Sequence, residues 1–210
     1  MAERRPLKSR QSKWANALAS ALVRLRIRPN VISLFSIVFA LLAGAAFLAS
    51  RDAFHHRFLW LLGAAAAIQL RLLCNLLDGM VAVEGKMASK TGEIYNDFPD
   101  RIADPLILVP VGYAIDIPWL GWLGGLLAVM TAYVRVLGGS MGVPQDFRGP
   151  MAKPHRMALL TVAAIADGVV TVWGPYAGLP LFIALAIIVL GMIVTMIRRT
   201  ARMARELNAR

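Results

Sequence analysis

Apolar runs of roughly 20 residues, the length that crosses a bilayer, recur along this chain and decide its fold class. Six can be marked: Val31 to Leu48, Phe58 to Val83, about Gly92 or Pro99 to Ile115, Pro118 to about Leu137, about Ala152 to Val172, and Leu179 to Ile197. A soluble domain is about half apolar and spreads that content in short periodic stripes. Here 58% of 210 residues are hydrophobic and the mean hydropathy is +0.62. The sequence predicts an all-α integral membrane protein with six transmembrane helices, forming one bundle domain over residues 29–197. Cys74 stands alone, which excludes an intrachain disulfide and argues against a thiolate metal site.

The net charge of +11 raises nucleic acid as a partner, but its distribution excludes that reading, because the charge lies at the ends of the spans. Residues 1–28 form a basic arm with Arg4, Arg5, Lys8, Arg10, Lys13, Arg24, Arg26 and Arg28. The arm is too basic, and too poorly followed by a small-residue cleavage site, for a signal peptide. Trp14, Leu18, Leu22 and Leu25 recur at helical spacing opposite Lys13, Asn16, Ser20 and Arg24. That pattern predicts an amphipathic interfacial helix on an anionic leaflet; the alternative is a solvated basic tail. With six spans both termini share one side, together with the basic tail 198–210 and Lys86, Lys90, Arg101, Arg148, Lys153 and Arg156. The other side holds Arg51 and Arg57. The positive-inside rule then puts the termini in the cytoplasm, as in a multi-pass protein of a bacterial-type inner membrane.

The chemistry concentrates in NLLDGMVAVEGKMASKTGEIYNDFPDRIAD, residues 75–104, which holds six of the twelve acidic residues. Ionisable groups at a membrane boundary are expensive, which makes them functional candidates. Asn75 and Asp78 are three apart, and Asn96, Asp100 and Asp104 repeat every four, so each set can share a helix face. Two helices turning oxygen ligands toward each other make a site for a hard divalent cation. Gly79 and Ala82 keep one face small, so that a nucleotide could lie against the backbone, or helices could pack closely there. Arg71 lies on the face of Asn75 and Asp78.

The series Asn75-x2-Asp78-Gly79-x2-Ala82-x9-Gly92-x3-Asn96-x3-Asp100 resembles the signature of the CDP-alcohol phosphatidyltransferases. Arg28-Pro-Asn-Val-Ile-Ser33 and Ser89-Lys90-x-Gly92 resemble the family's entries to the first and third spans. Two departures stand out: Asn75 and Asn96 occupy usual aspartate positions, and Val83 replaces an arginine. The resemblance implies a homodimeric membrane enzyme that moves a phosphatidyl group from a CDP-linked lipid, such as CDP-diacylglycerol, to a small alcohol, releasing CMP. It implies a two-metal site of Mg²⁺ or Mn²⁺, with Asp78 as ligand, Asp100 as base, and Asn75 and Asn96 ligating through amide oxygens. Donor binding would fall to Asn75, Asp78, Gly79, Ala82, Gly92 and Asn96. Asp97 could supply the charge missing at Asn96. In a second register the helix starts at Pro99, Asp100 becomes a ligand and Asp104 the base.

Buried cations need anionic partners. Arg135, Lys153 and Arg156 either hold a phosphate on the acceptor (glycerol 3-phosphate or an inositol phosphate) or pair with Asp78, Asp97, Asp100 or Asp104. Two rivals remain at this point. One is a non-catalytic homologue that binds nucleotide or lipid. The other is a small ion-coupled transporter, opposed by the position of the carboxylates at span ends and by the lack of an evident inverted repeat.

Overall fold

The computed structural model describes residues 12–87, 91–174 and 176–209, without the side chains of Phe54, Glu93 and Asn96. Seven α-helices are present among them: α1 (Lys13–Arg24), α2 (Pro29–Asp52), α3 (Arg57–Glu84), α4 (Gly92–Ala114), α5 (Pro118–Ser140), α6 (Lys153–Trp173) and α7 (Leu179–Asn208). Pro29, Pro118, Pro154 and Pro180 sit in the first turns of α2, α5, α6 and α7, where a missing N–H costs little. Helices α2, α3, α5, α6 and α7 are long and apolar enough to cross a membrane. Helix α4 has comparable length, but Asp97, Asp100, Arg101 and Asp104 crowd its first half.

Neighbour packing closes a ring in the order α3, α2, α4, α5, α7, α6 and back to α3. Its interior is apolar over most of its length, with Phe47, Leu61, Ile68, Ile107, Leu108 and Leu185 fully buried. Small residues let the backbones approach. A Cβ added at Gly121 of α5 would lie 2.6 Å from the Val109 carbonyl oxygen and 2.9 Å from the Gly112 Cα of α4. Backbone atoms cannot swing aside as a side chain can. Gly121→Ala is therefore expected to part α4 from α5 and to destabilise the bundle by about 1–3 kcal/mol. A thermal midpoint in detergent equal to that of the parent protein would exclude so close a contact.

The far end, away from the acidic stretch, holds a buried ion pair, Arg57–Asp167. The Nε and Nη2 of Arg57 donate to Asp167 Oδ1 at 3.1 and 3.0 Å, and its Nη1 donates to the Ser50 carbonyl at 3.0 Å. The Leu181 N–H reaches Asp167 Oδ2 at 3.4 Å. Helices α2, α3, α6 and α7 thus meet on two charges, both buried.

Three expectations are corrected. Helix α4 does not start at Pro99: it begins at Gly92 and runs through Pro99, Pro105 and Pro110. Each proline costs a backbone hydrogen bond, but α4 lies between α2 and α5, and Ala103, Ile107, Leu108 and Val111 bury completely, which outweighs the loss. The basic segment 198–210 is no separate tail, since α7 continues through it to Asn208. Arg199 turns back into the bundle, donating to the carbonyls of Arg148 and Thr131 at 3.0 and 2.9 Å. Helix α1 stops at Arg24 rather than at the proline, because Arg26 takes the left-handed conformation at φ 56°.

Helix α1 presents its small side, Ala15 and Ala19, to the protein, where it packs with Ile32, Leu76, Leu77, Met80 and Val81. Trp14, Leu18 and Leu25 of the apolar stripe stay exposed. Arg4, Arg5, Lys8 and Arg10, and the Ser89-Lys90 approach to α4, lie outside the described residues.

Candidate functional site

The second half of α3 and the first half of α4 bring the predicted residues together at the end of the ring opposite the Arg57–Asp167 pair. Arg71, Asn75 and Asp78 follow one face of α3. Asp100 and Asp104 are one turn apart on α4. Asp100 Oδ1 accepts from Asn75 Nδ2 at 3.0 Å and from Arg71 Nη2 at 3.3 Å. The Lys153 ammonium contacts the same oxygen. Asp104 divides its oxygens: Oδ1 accepts from Arg71 Nη2 at 2.7 Å, and Oδ2 from Arg156 Nη2 at 2.5 Å. Arg156 is fixed further by the Met151 carbonyl at 3.3 Å and Thr131 Oγ1 at 3.4 Å. Arg71 has no solvent exposure. Its Nε and Nη1, and Nε of Arg156, have no hydrogen-bond partner among the described residues.

Asp78 is buried beside this network, and its Oδ2 accepts the Ser33 hydroxyl at 2.7 Å. Ser33 lies on the first turn of α2, so its hydroxyl ties that helix to the site. It stands within the predicted Pro-Asn segment but carries no role in the sequence reading. The available signal is a hydroxyl in the opening turn of an otherwise apolar span. Groups that orient a ligand typically contribute 10- to 100-fold in metal affinity. Were Asp78 to ligate a divalent cation, Ser33→Ala would weaken Mn²⁺ binding about 10-fold or more; unchanged affinity would show that the hydroxyl does not hold Asp78 for a ligand.

Gly79 and Ala82 are half-buried on the face of Asn75 and Asp78, and Gly92 opens α4. Two residues leave the predicted constellation. Asp97 is three positions before Asp100, close enough to share its face, but its carboxylate turns to other partners. It pairs instead with Arg101 at 2.8 Å, and both its oxygens accept from Arg135 Nη2 at 2.8 Å. Arg135 also stacks on the Phe147 ring, 5.0 Å from its centroid. In this structure Asp97 is thus held by Arg101 and Arg135, and Arg135 pairs within the protein. The Asn96 side chain lies outside the described residues. His155 stays exposed near the Pro150 carbonyl, outside the constellation.

Among the described residues no cluster of three or more histidine, cysteine, aspartate or glutamate side chains gathers. The donors offered are the carboxylates of Asp78 and Asp100 and the Asn75 amide, an oxygen-only set of the kind hard divalent cations take. It suits Mg²⁺ or Mn²⁺ and offers nothing to a thiophilic metal.

The architecture is a helical membrane-type bundle with a polar core at one end. No family model matches the chain. It is 27% identical over 197 residues to a phosphatidylinositol phosphate synthase of Streptomyces avermitilis, covering 90% of this chain and 77% of that one. It shares its fold with the Mycobacterium tuberculosis phosphatidylinositol phosphate synthase. The form of that enzyme with CDP-DAG bound superposes with a TM-score of 0.75 at 16% identity, over 91% of this chain and 94% of that one. The form in complex with manganese and citrate also gives a TM-score of 0.75 at 16% identity, over 90% and 88%.

Proposed function

We propose that this chain is a CDP-alcohol phosphatidyltransferase, moving the phosphatidyl group of CDP-diacylglycerol to a phosphorylated alcohol, with an inositol phosphate favoured. The observation that carries this reading is the meeting of Asp78, Asn75 and Asp100 beside Lys153 and Arg156 in one buried polar end of the bundle. The shared fold and the related synthases support it.

In this reading α4 is a sixth span, α1 lies on the leaflet with Trp14, Leu18 and Leu25 in lipid, and the site faces the cytoplasm of a bacterial-type inner membrane. Asp78 and Asp100, with amide oxygens of Asn75 and Asn96, hold Mg²⁺ or Mn²⁺. When bound, the cation neutralises the pyrophosphate and the oxygen that leaves with CMP. Gly79, Ala82 and Gly92 leave room for the nucleotide beside the ligands. The acceptor hydroxyl gives its proton to Asp100 as its oxygen attacks the lipid-linked phosphorus. The bond from that phosphorus to the bridging oxygen breaks, and CMP departs. Lys153 and Arg156 bind the acceptor's phosphate, for which Arg156 Nε is still unpartnered among the described residues. The homodimer rests on the family resemblance.

CMP release by purified protein, with CDP-diacylglycerol and Mg²⁺ or Mn²⁺, tests the proposal across glycerol 3-phosphate, inositol phosphate, inositol and serine. Acceptor-dependent CMP is the expected result. A second reading, a homologue that binds without turnover, is favoured by Asn75, which offers Asp100 a hydrogen bond where a carboxylate would share a metal. Metal binding with no CMP from any acceptor would establish it.

A further inference from the structure

We infer that Thr195 of α7 is a positioning residue for Arg156: through Met151 it fixes the guanidinium that takes the acceptor's phosphate. This role rests on the transferase reading, with Arg156 as the phosphate contact.

Arg156 Nη1 donates to the Met151 carbonyl at 3.3 Å and to Thr131 Oγ1 at 3.4 Å. Met151 belongs to the segment 141–152 between α5 and α6, and a carbonyl on a connecting segment orients a cation only if the segment is itself held. Helix α7 supplies that hold. The Met151 N–H donates to Thr195 Oγ1 at 3.1 Å, and the Thr195 hydroxyl gives its own hydrogen to the Gly191 carbonyl at 2.7 Å. The hydroxyl's direction is thereby set by the helix that carries it. Gly191, one turn before Thr195, leaves room for the Met151 side chain: an added Cβ would stand 2.9 Å from the Met151 Cβ. At Gly149, whose φ of 147° already favours glycine, an added Cβ would run into the Thr195 methyl. Met151 and Thr195 are both buried, and a buried N–H left without an acceptor is costly. Backbone and side chain of Met151 are therefore both seated on α7.

The other acceptor of Arg156 Nη1 is held from the same helix. The Thr131 carbonyl accepts from Arg199 Nη1 at 2.9 Å, and Arg199 stands one turn beyond Thr195. Arg156 thus rests on two supports, each tied to α7, while its Nη2 reaches Asp104 on α4 at 2.5 Å. With the Met151 support loosened, the guanidinium can pivot about its Asp104 contact. Phosphate binding suffers first, because the residues proposed for the donor come from α3 and α4.

The test compares the parent protein with Thr195→Val, which keeps volume and β-branching and removes the acceptor of the Met151 N–H. CMP release is followed in nanodiscs containing CDP-diacylglycerol with Mn²⁺, varying first the phosphorylated acceptor and then the donor. Inorganic phosphate binding is measured beside it by calorimetry. The acceptor's apparent KM should rise about three- to tenfold, the range to which the net worth of one hydrogen bond converts. The donor's KM and the thermal midpoint should stay close to the parent's, and Thr195→Ser should restore the acceptor KM. An acceptor KM unchanged in Thr195→Val overturns the role. So does a rise in both KM values with a lowered midpoint that Thr195→Ser does not restore, since that is general damage to the bundle. If the parent releases no CMP with any acceptor, the transferase reading falls and phosphate binding decides. Weakening of the same size in Thr195→Val keeps Thr195 as the support of an anion site; equal binding in both chains, or none in either, overturns it.

Discussion

Asp78→Asn should abolish acceptor-dependent CMP release while leaving the bundle folded. The substitution keeps side-chain volume, and its amide oxygen can still accept the Ser33 hydroxyl that now reaches Oδ2 at 2.7 Å. What disappears is one of the two negative charges that Asp78 and Asp100 offer to a cation. Lewis-acid stabilisation by a bound metal supplies several kcal/mol, and a loss of about 4 kcal/mol corresponds to on the order of a thousandfold in rate. The thermal midpoint in detergent should change little. Turnover near the parent rate would remove Asp78 from the site and the metal assignment with it.

The second large effect separates Asp100 from Asp104, and it appears in stability rather than in rate alone. Asp104 is the shared anion of Arg71 and Arg156, one guanidinium to each oxygen at 2.7 and 2.5 Å, with all three side chains buried. Asp104→Asn takes from buried Arg156 its carboxylate partner and from Arg71 the shorter of its two carboxylate contacts, and breaking a buried pair costs about 3–5 kcal/mol. Asp100→Asn leaves Lys153, whose side chain is 24% exposed, with access to solvent. It should therefore lose turnover with a much smaller drop in the thermal midpoint. If Asp104→Asn proves as stable as the parent but inactive, Asp104 is the base and the two residues exchange roles.

Much of this was legible in the residues alone, for definite reasons. A run of roughly 20 apolar residues has few ways to satisfy its backbone in lipid, so α2, α3, α5, α6 and α7 follow directly from composition. Spacing of three and four placed Asn75 with Asp78 and Asp100 with Asp104, and the structure joins the two helices at the Asn75–Asp100 bond. Local rules failed where tertiary contacts overrode them. Pro99 looks like a helix start, yet burial between α2 and α5 carries α4 through it. The arginines after Ile197 read as a tail, since nothing local shows that Arg199 will find the carbonyls of Thr131 and Arg148. The partners of Arg135, and the hold of Ser33 on Asp78 across 45 positions, are long-range facts that no periodicity encodes.

The ion pair at the far end bears on how the protein is made. Arg57 opens α3 and Asp167 lies near the end of α6, 110 positions later. A charged residue at the centre of an isolated membrane helix costs about 2.5–3.5 kcal/mol to insert. During synthesis Arg57 enters first, at a helix end where its long side chain can reach the interface. Asp167 is shorter and lies about 9 Å inside the end of its helix, so it has no such escape. Helix α6 therefore gains most by inserting against an α3 already in place. The partner made first, and so unpaired for longer, is the one whose side chain can reach the interface.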